Sequence, residues 1–164
     1  EEKVNYNCFF HEDFYRDEYD KTDYSRRTGF VEHVLVDLKD CSELNKIIIV
    51  DEEEVILDLS KKLKDNFSHL VEITISDPTC VDIAPKGCSK GNALEILAET
   101  LDFNMNKIIA FGDAENDLDM LKKVGHPVVM ENAQFIVKES ISNRAEKNSE
   151  DGVAKYLENF FQLK

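Results

Sequence analysis

The residues after Pro85 alternate between apolar segments of strand type and segments of helical periodicity, and this alternation limits the fold more than any other feature of the chain. Lys107–Phe111 reads KIIAF, a continuous apolar run typical of strands buried on both faces of a parallel sheet. Strands that alternate with helices call for a parallel sheet with right-handed crossovers. The predicted elements are a helix over 89–101, a strand over 107–111, a helix over about 115–124, a strand over 127–130, a helix over about 133–139, a short segment over 142–145 and a helix over 151–161.

The residues before Pro85 show a different pattern of apolar and polar residues. Lys46–Val50 reads as a short strand, and the apolar residues of Asp51–Asp65 recur at helical spacing. His69–Ser76 and Thr79–Ala84 alternate apolar and polar residues around Asp77-Pro78, which predicts an antiparallel hairpin with one solvated face. We therefore place a boundary near residue 85, between an α+β part over 1–84 and an α/β part over 85–164, and residues 1–30 show no clear period.

The charge of the chain argues against several classes of partner. Lys and Arg number 20 and Asp and Glu number 34, which gives a net charge of −14. A field of this sign repels nucleic acids and anionic membranes. No apolar run approaches the roughly 18 residues that cross a bilayer, and no basic segment precedes an apolar one as in a secretory signal. We therefore expect a cytoplasmic protein that binds neither nucleic acid nor membrane.

Two aspartates, Asp113 and Asp117, lie in the segment Gly112-Asp113-Ala114-Glu115-Asn116-Asp117, which follows the predicted buried strand directly. Ligands of open α/β sheets bind beyond the carboxyl ends of the strands, so Asp113 stands where a site is expected. Asp117 comes four residues later and turns to the same side once a helix has begun. Two converging carboxylates suit Mg²⁺, which prefers oxygen ligands and keeps several waters. The same residues are also typical of a turn with acids at the positive end of a helix.

A second candidate element is Lys86-Gly87-Cys88-Ser89-Lys90-Gly91, just before the first helix of the α/β part. Lys90 could supply the fixed positive charge that phosphoryl transfer requires. The alternative is that Ser89 caps the helix while Lys90 is solvated. The presence of both elements in this order favours the first interpretation.

These motifs resemble the Cof-type branch of the haloacid dehalogenase (HAD) phosphohydrolases, in which a KGxSKG segment supplies a lysine and a GDxxND loop supplies acids. The resemblance continues through HPVVMENA at 126–133, Val137-Lys138 and NSEDGV at 148–153. It implies that 85–164 form the C-terminal part of a Rossmann-like parallel sheet core. On weaker grounds it implies that 1–84 belong to the family's α/β cap.

The resemblance also implies a role for five side chains and a Mg²⁺ cofactor. Asp113 would be a Mg²⁺ ligand, and Asp117 would support the metal or orient Lys90. Lys90 would neutralise the nucleophile and the phosphoryl group. Asn116 would contact the phosphate, and Asn132 matches the family's Asn-Ala pair as a further substrate contact. Glu131 departs from the family, which usually has Gly there, and this carboxylate could alter phosphate access or point to solvent.

The family's nucleophile motif, hhhhDxDGT, has no convincing match in the chain. Ile47–Val50 followed by Asp51 is the best imitation, but Glu53 stands in place of the second aspartate and no Gly-Thr follows. Asp51 reads better as a helix N-cap with acids in the first turn. We therefore expect the nucleophile upstream of Glu1 and predict that the chain alone is inactive. Its apolar sheet edge would be covered by the missing N-terminal half of the core or by a second copy.

The resemblance implies that the parent protein is a Mg²⁺-dependent phosphatase of small phosphorylated metabolites such as sugar phosphates, acting through an aspartyl-phosphate. One alternative is a phosphomutase or phosphotransferase on the same fold, in which a second hydroxyl rather than water accepts the phosphoryl group. The other is a non-catalytic acidic fragment that binds a metal ion or a protein.

Overall fold

A computed structural model describes residues 5–10, 13–17, 31–35 and 44–163. The chain divides into two compact units, Glu1–Gly87 and Cys88–Lys164. We refer to them as the first and the second unit. In the described part of the chain, no helix has both the length and the apolar character needed to cross a membrane.

The described strands of the first unit form one sheet, and a single helix accompanies them among the described residues. The elements are β1 (Asn5–Phe10), β2 (Asp13–Asp17), β3 (Val31–Leu35), β4 (Lys46–Val50), α1 (Glu53–Phe67), β5 (Val71–Asp77) and β6 (Cys80–Pro85). The strand order is β3-β2-β1-β4-β6-β5, in which β2 and β3 run parallel and the other neighbours run antiparallel. The hairpin expected around Asp77-Pro78 is confirmed as β5 and β6.

Helix α1 covers one face of this sheet because its apolar residues recur three and four positions apart. Ile56 is fully buried, and Leu59 and Leu63 pack beside it. Burial of an isoleucine side chain such as that of Ile56 contributes about 1.5–3 kcal/mol. The facing strands contribute Ile49, Ile73 and Val81.

The N-cap predicted at Asp51 is wrong. Strand β4 ends at Val50, and just beyond it the backbone N–H of Asp51 donates to the carbonyl of Thr79 at 3.1 Å. The Asp51 carboxylate accepts the N–H of Glu52 at 2.8 Å, and the helix begins at Glu53 with Glu52 as an N-cap that makes no side-chain bond. Glu53 and Glu54 lie in the first turn, as the helix dipole favours.

The second unit contains a parallel sheet flanked by helices. The elements are α2 (Lys90–Thr100), β7 (Ile109–Gly112), α3 (Leu118–Lys123), β8 (His126–Met130), α4 (Phe135–Ser140), β9 (Arg144–Ala145) and α5 (Gly152–Phe161). Among the described residues the strand order is β7-β8-β9, and the α/β class predicted from the alternating pattern is thereby confirmed. Short 3-10 turns cover Met105–Lys107, Glu115–Asp117 and Asn148–Glu150.

Apolar side chains pack on both faces of this sheet. Val128 and Val129 are adjacent in β8, point to opposite faces and are both fully buried. One face packs with Leu121 of α3 and Val137 of α4, and the other packs with Tyr156 of α5. This two-sided burial explains why β7 and β8 read as continuous apolar runs.

The helix predicted over about 115–124 divides into two parts. Glu115–Asp117 form a 3-10 turn, and α3 begins at Leu118. The turn is tight because the Asp117 side chain folds back onto the backbone N–H groups of Asp113 and Ala114. Because of this break, Asp117 lies at the end of the 3-10 turn, directly before α3 and next to the candidate site.

Candidate active site

The loop that follows β7 lies at the carboxyl end of a parallel sheet, where ligands of this architecture bind. Gly112 ends the strand, Asp113 and Ala114 follow, and the 3-10 turn leads into α3. Gly112 is required by a close approach, because a Cβ there would lie 2.6 Å from the Cβ of Asp117. The strand end and the Asp117 side chain are therefore packed against each other.

Asp117 organises the loop from within. Its side chain is 7% exposed. One carboxylate oxygen accepts the N–H groups of Asp113 and Ala114 at 2.9 and 3.2 Å. The other oxygen lies 2.5 Å from the ammonium group of Lys90. A single buried carboxylate therefore fixes both the backbone at Asp113 and the position of Lys90.

The Ser-Lys-Gly sequence at the start of α2 explains how Lys90 reaches this carboxylate. The Ser89 hydroxyl accepts the N–H of Asn92 at 3.1 Å as an N-cap, and it donates to the carboxylate of Asp119 in α3. Gly91 allows the two helices to approach, because a Cβ there would lie 2.8 Å from the backbone carbon of Asp119. Ser89 thus caps the helix as the alternative interpretation required, yet Lys90 is paired with Asp117 rather than merely solvated.

Charged residues reinforce the contact between α2 and α3. The Lys123 ammonium group lies 3.0 Å from the carboxylate of Glu95 and 3.2 Å from that of Asp119, and it also contacts the side chain of Asn92. Burial acts to raise the pKa of Asp119, but the hydrogen bond from Ser89 and the charge of Lys123 outweigh it, so the pKa lies below its ordinary value. Asp119 is therefore held in its ionised form.

Two asparagines predicted to contact substrate lie beside these groups. The Oδ1 atom of Asn116 is 3.4 Å from the Lys90 ammonium group. The Nδ2 atom of Asn132 is 3.4 Å from a carboxylate oxygen of Asp113, and its Oδ1 accepts the N–H of Asn148 at 3.0 Å. The structure thus places Asn116 and Asp117 in contact with Lys90. It separately places Asn132 in contact with Asp113. The backbone of the loop connects these two groups of residues.

Gln134, at the start of α4, is a contact that the sequence analysis missed. Its Oε1 accepts the N–H of Glu115 at 2.9 Å, and its own N–H donates to the carbonyl of Asp113 at 2.8 Å. Its only sequence signal is its place directly after Asn132-Ala133. Nearby, the exposed Glu131 carboxylate lies 3.9 Å from the ammonium group of Lys138, so this departure from the family pattern has a partner within α4.

The loop offers one carboxylate, that of Asp113, as a suitable ligand for a Mg²⁺ ion. Mg²⁺ is commonly bound by one or two carboxylates together with water and phosphate oxygens, and Asp113 offers a carboxylate at the strand end. Asp117 is engaged by Lys90 and two backbone groups, which favours its predicted role in orienting Lys90; direct ligation by Asp117 stays a prediction. Among the described residues, no group of three or more His, Cys, Asp or Glu side chains could hold a metal.

Comparison with curated proteins gives two relatives with named activities. The chain is 37% identical over 108 residues to the 5-amino-6-(5-phospho-D-ribitylamino)uracil phosphatase YcsE of Bacillus subtilis, a match that covers 66% of the chain and 43% of that protein. It is 40% identical over 89 residues to the HMP-PP phosphatase of Serratia proteamaculans, which covers 54% of the chain and 32% of that protein. The chain spans less than half the length of either relative.

Solved structures share the fold over nearly the whole chain. The Thermotoga maritima protein TM0651 is 30% identical with a TM-score of 0.69, over 96% of this chain and 61% of that one. The SMU.1108c protein of Streptococcus mutans is 25% identical with a TM-score of 0.84, over 98% of this chain and 62% of that one. A model of the family described as haloacid dehalogenase-like hydrolase matches residues 1–157. The chain therefore belongs to the haloacid dehalogenase-like hydrolases, as the motifs of the Cof-type branch predicted.

Proposed function

We propose that the protein carrying this chain is a Mg²⁺-dependent phosphatase that hydrolyses phosphomonoesters of small metabolites. The observation that carries the proposal is the pairing of Lys90 with Asp117 beside Asp113, at the carboxyl end of β7. A fixed cation and a carboxylate at a strand end are the groups that phosphoryl transfer needs, because the reaction is catalysed mainly by positioning and electrostatic stabilisation.

Lys90 has the role of holding negative charge on the transferring phosphoryl group. Its side chain is about half exposed, so the ammonium group is open to a ligand while Asp117 fixes its direction. The 2.5 Å contact with a buried carboxylate reduces the freedom of the lysine before substrate arrives. Removal of one such preorganised charge commonly lowers kcat by about a hundredfold or more.

Asp113 has the role of a Mg²⁺ ligand, and Asn116 and Asn132 are placed to contact phosphate oxygens or to orient their neighbours. When bound, Mg²⁺ supplies charge neutralisation at the phosphoryl oxygens. The Asn132 amide, 3.4 Å from the Asp113 carboxylate, restricts the direction in which that carboxylate points. Asn132 is itself held by the backbone N–H of Asn148.

The nucleophile belongs, in this proposal, to an aspartate outside residues 1–164, which forms the aspartyl-phosphate that water then hydrolyses. The sequence contains no DxDGT motif, and the chain spans less than half the length of the relatives that it matches. Those relatives are named as phosphatases of HMP-PP and of 5-amino-6-(5-phospho-D-ribitylamino)uracil, which supports a small phosphorylated substrate here.

The test is phosphate release by the full-length protein from a panel of sugar phosphates and other small phosphomonoesters, with and without Mg²⁺. We expect release only with Mg²⁺, and a loss of at least about a hundredfold in Asp113→Asn, because the charged carboxylate proposed to bind the ion is removed. Asp102→Asn is the matched control, since this exposed residue has a φ of 55° that asparagine tolerates. If the protein hydrolyses none of the panel, or if Asp113→Asn is as active as Asp102→Asn, the proposal is wrong.

A further inference from the structure

We infer that Gln134 is a positioning residue for the Asp113 loop, and that its side-chain carbonyl sets the affinity of the site for a divalent cation. The inference rests on the proposed function in one respect only, namely that Asp113 is the residue that binds the cation. It concerns a residue that neither touches the Asp117 carboxylate nor belongs to the family motifs quoted above. The inference is based on two hydrogen bonds that Gln134 makes to the residues on either side of Ala114, namely Asp113 and Glu115.

The two contacts restrain the loop at neighbouring points. The N–H of Gln134 donates to the carbonyl of Asp113 at 2.8 Å, and its Oε1 accepts the N–H of Glu115 at 2.9 Å. Together with the two bonds to the Asp117 carboxylate, they engage the N–H groups of Asp113, Ala114 and Glu115 in succession. The backbone that carries the Asp113 side chain is thus held by Asp117, just before α3, and by Gln134, just before α4.

Gln134 can act as a rigid support because it is anchored in turn. Its carbonyl accepts the N–H groups of Val137 and Lys138, which makes it the first residue before α4. Val137 is fully buried in the same cluster as Val129 of β8. The position of α4 relative to the sheet is therefore transmitted through Gln134 to the loop. Loss of the side-chain acceptor would leave the part-buried N–H of Glu115 without this partner and release one side of the loop.

Three variants of the full-length protein separate this role from a general effect on stability. Gln134→Leu has a similar size but no acceptor. Gln134→Glu keeps an acceptor oxygen at neutral pH and should restore the contact. Glu139→Leu makes a comparable polar-to-leucine change at an exposed position of the same helix and is the control.

The first readout is amide hydrogen exchange in the metal-free protein, followed by NMR. We expect the Glu115 amide of Gln134→Leu to exchange at least about tenfold faster than that of wild type, while the Val129 amide in β8, which reports on global opening, keeps its rate. Gln134→Glu and Glu139→Leu should resemble wild type. An unchanged Glu115 rate in Gln134→Leu, or equal acceleration at Glu115 and Val129, would overturn the inference.

The second readout is binding of Mn²⁺, followed by electron paramagnetic resonance without substrate. We expect the dissociation constant to rise about five- to tenfold in Gln134→Leu and to stay near the wild-type value in the other two variants. Equal affinity of wild type and Gln134→Leu contradicts the inference. If wild type binds no Mn²⁺, the proposed metal role of Asp113 fails instead, and the exchange experiment alone decides whether Gln134 holds the loop.

Discussion

The carboxylate of Asp117 lies 2.5 Å from the ammonium group of Lys90 while its second oxygen accepts two backbone N–H groups of the preceding loop. Lysine, carboxylate and loop are thus one hydrogen-bonded unit in which no member can shift alone. The buried position of Asp117 strengthens this coupling, because charges that are shielded from water are screened less.

Replacement of Lys90 by Met removes the charge and keeps the aliphatic stem. We expect kcat of the full-length protein to fall about a hundredfold with little change in the melting temperature, because Lys90 is half exposed. Lys122→Met, at an exposed position of α3, is the matched control and should keep near wild-type activity. A loss of less than threefold in Lys90→Met would mean that the lysine is a surface residue.

The double variant Lys90→Met with Asp117→Asn tests whether the two residues act as one unit. Asp117→Asn alone should lower kcat nearly as much as Lys90→Met, since the lysine loses the group that fixes it. In the double variant we expect a loss no greater than about threefold beyond the larger single loss, because coupled residues are not additive. Steady-state kinetics of the four proteins measure this, and fully multiplicative losses would show independent roles.

Gly91→Ala should destabilise the protein by about 1–3 kcal/mol, because the added Cβ would lie 2.8 Å from the backbone carbon of Asp119 and force α2 away from α3. The displacement should also lower kcat, since Lys90 is the preceding residue. Urea unfolding gives the free energy. Glu99→Ala, at an exposed position of the same helix, should change stability by less than about 0.5 kcal/mol and serves as the control.

The lowered pKa of Asp119 predicts how its contribution to stability depends on pH. Burial opposes the shift, and Ser89 and Lys123 produce it. A carboxylate whose pKa is lowered by folding stabilises the folded state above its ordinary pKa of about 4, and this contribution is lost as the pH falls through the lowered value. The difference in melting temperature between wild type and Asp119→Asn should therefore be larger at pH 7 than at about pH 2.5. An equal difference at both values would contradict the assignment, and Glu99→Gln should show no such trend.

Residues 1–164 alone should release no phosphate from p-nitrophenyl phosphate with Mg²⁺, because the chain offers no nucleophile motif. Among the described residues β7 pairs only with β8, so one edge of this strand is left for another segment or a second copy. Adding the N-terminal half of the full-length protein should restore hydrolysis. Activity in a clean monomer would point to an overlooked nucleophile, and Asp51 would be the first residue to replace.

The alternation of elements in the second unit could be predicted because the central strands are buried on both faces. Val128 and Val129 have no exposed surface, so the centre of β8 is an unbroken apolar run and its one polar residue, His126, lies at the exposed start of the strand. The place of Asp113 followed from the same reasoning, since a polar loop after a buried strand lies at the sheet edge. The role of each site residue and the assignment of residues 1–84 to a cap stay predictions.

The details that escaped prediction depend on contacts between elements distant in the chain. Asp51 fails as an N-cap because its backbone N–H bonds to the Thr79 carbonyl just beyond the end of β4 and the helix begins only at Glu53, and nothing near Asp51 encodes that pairing. Gln134 holds Glu115 across 19 residues, and Ser89 meets Asp119 across 30. Local periodicity cannot report such contacts, because they arise only when the elements pack together.

The hydrogen bond between Asn132 and the N–H of Asn148 makes the length of a surface loop matter to a carboxylate elsewhere. Asn148 follows β9, whereas Asn132 follows β8 and faces Asp113. Surface loops usually accept insertions at small entropic cost. Here an added residue between Ala145 and Asn148 would carry the N–H away from Asn132 and release the amide that restrains Asp113. The number of residues in this segment is therefore constrained, although the segment lies at the surface.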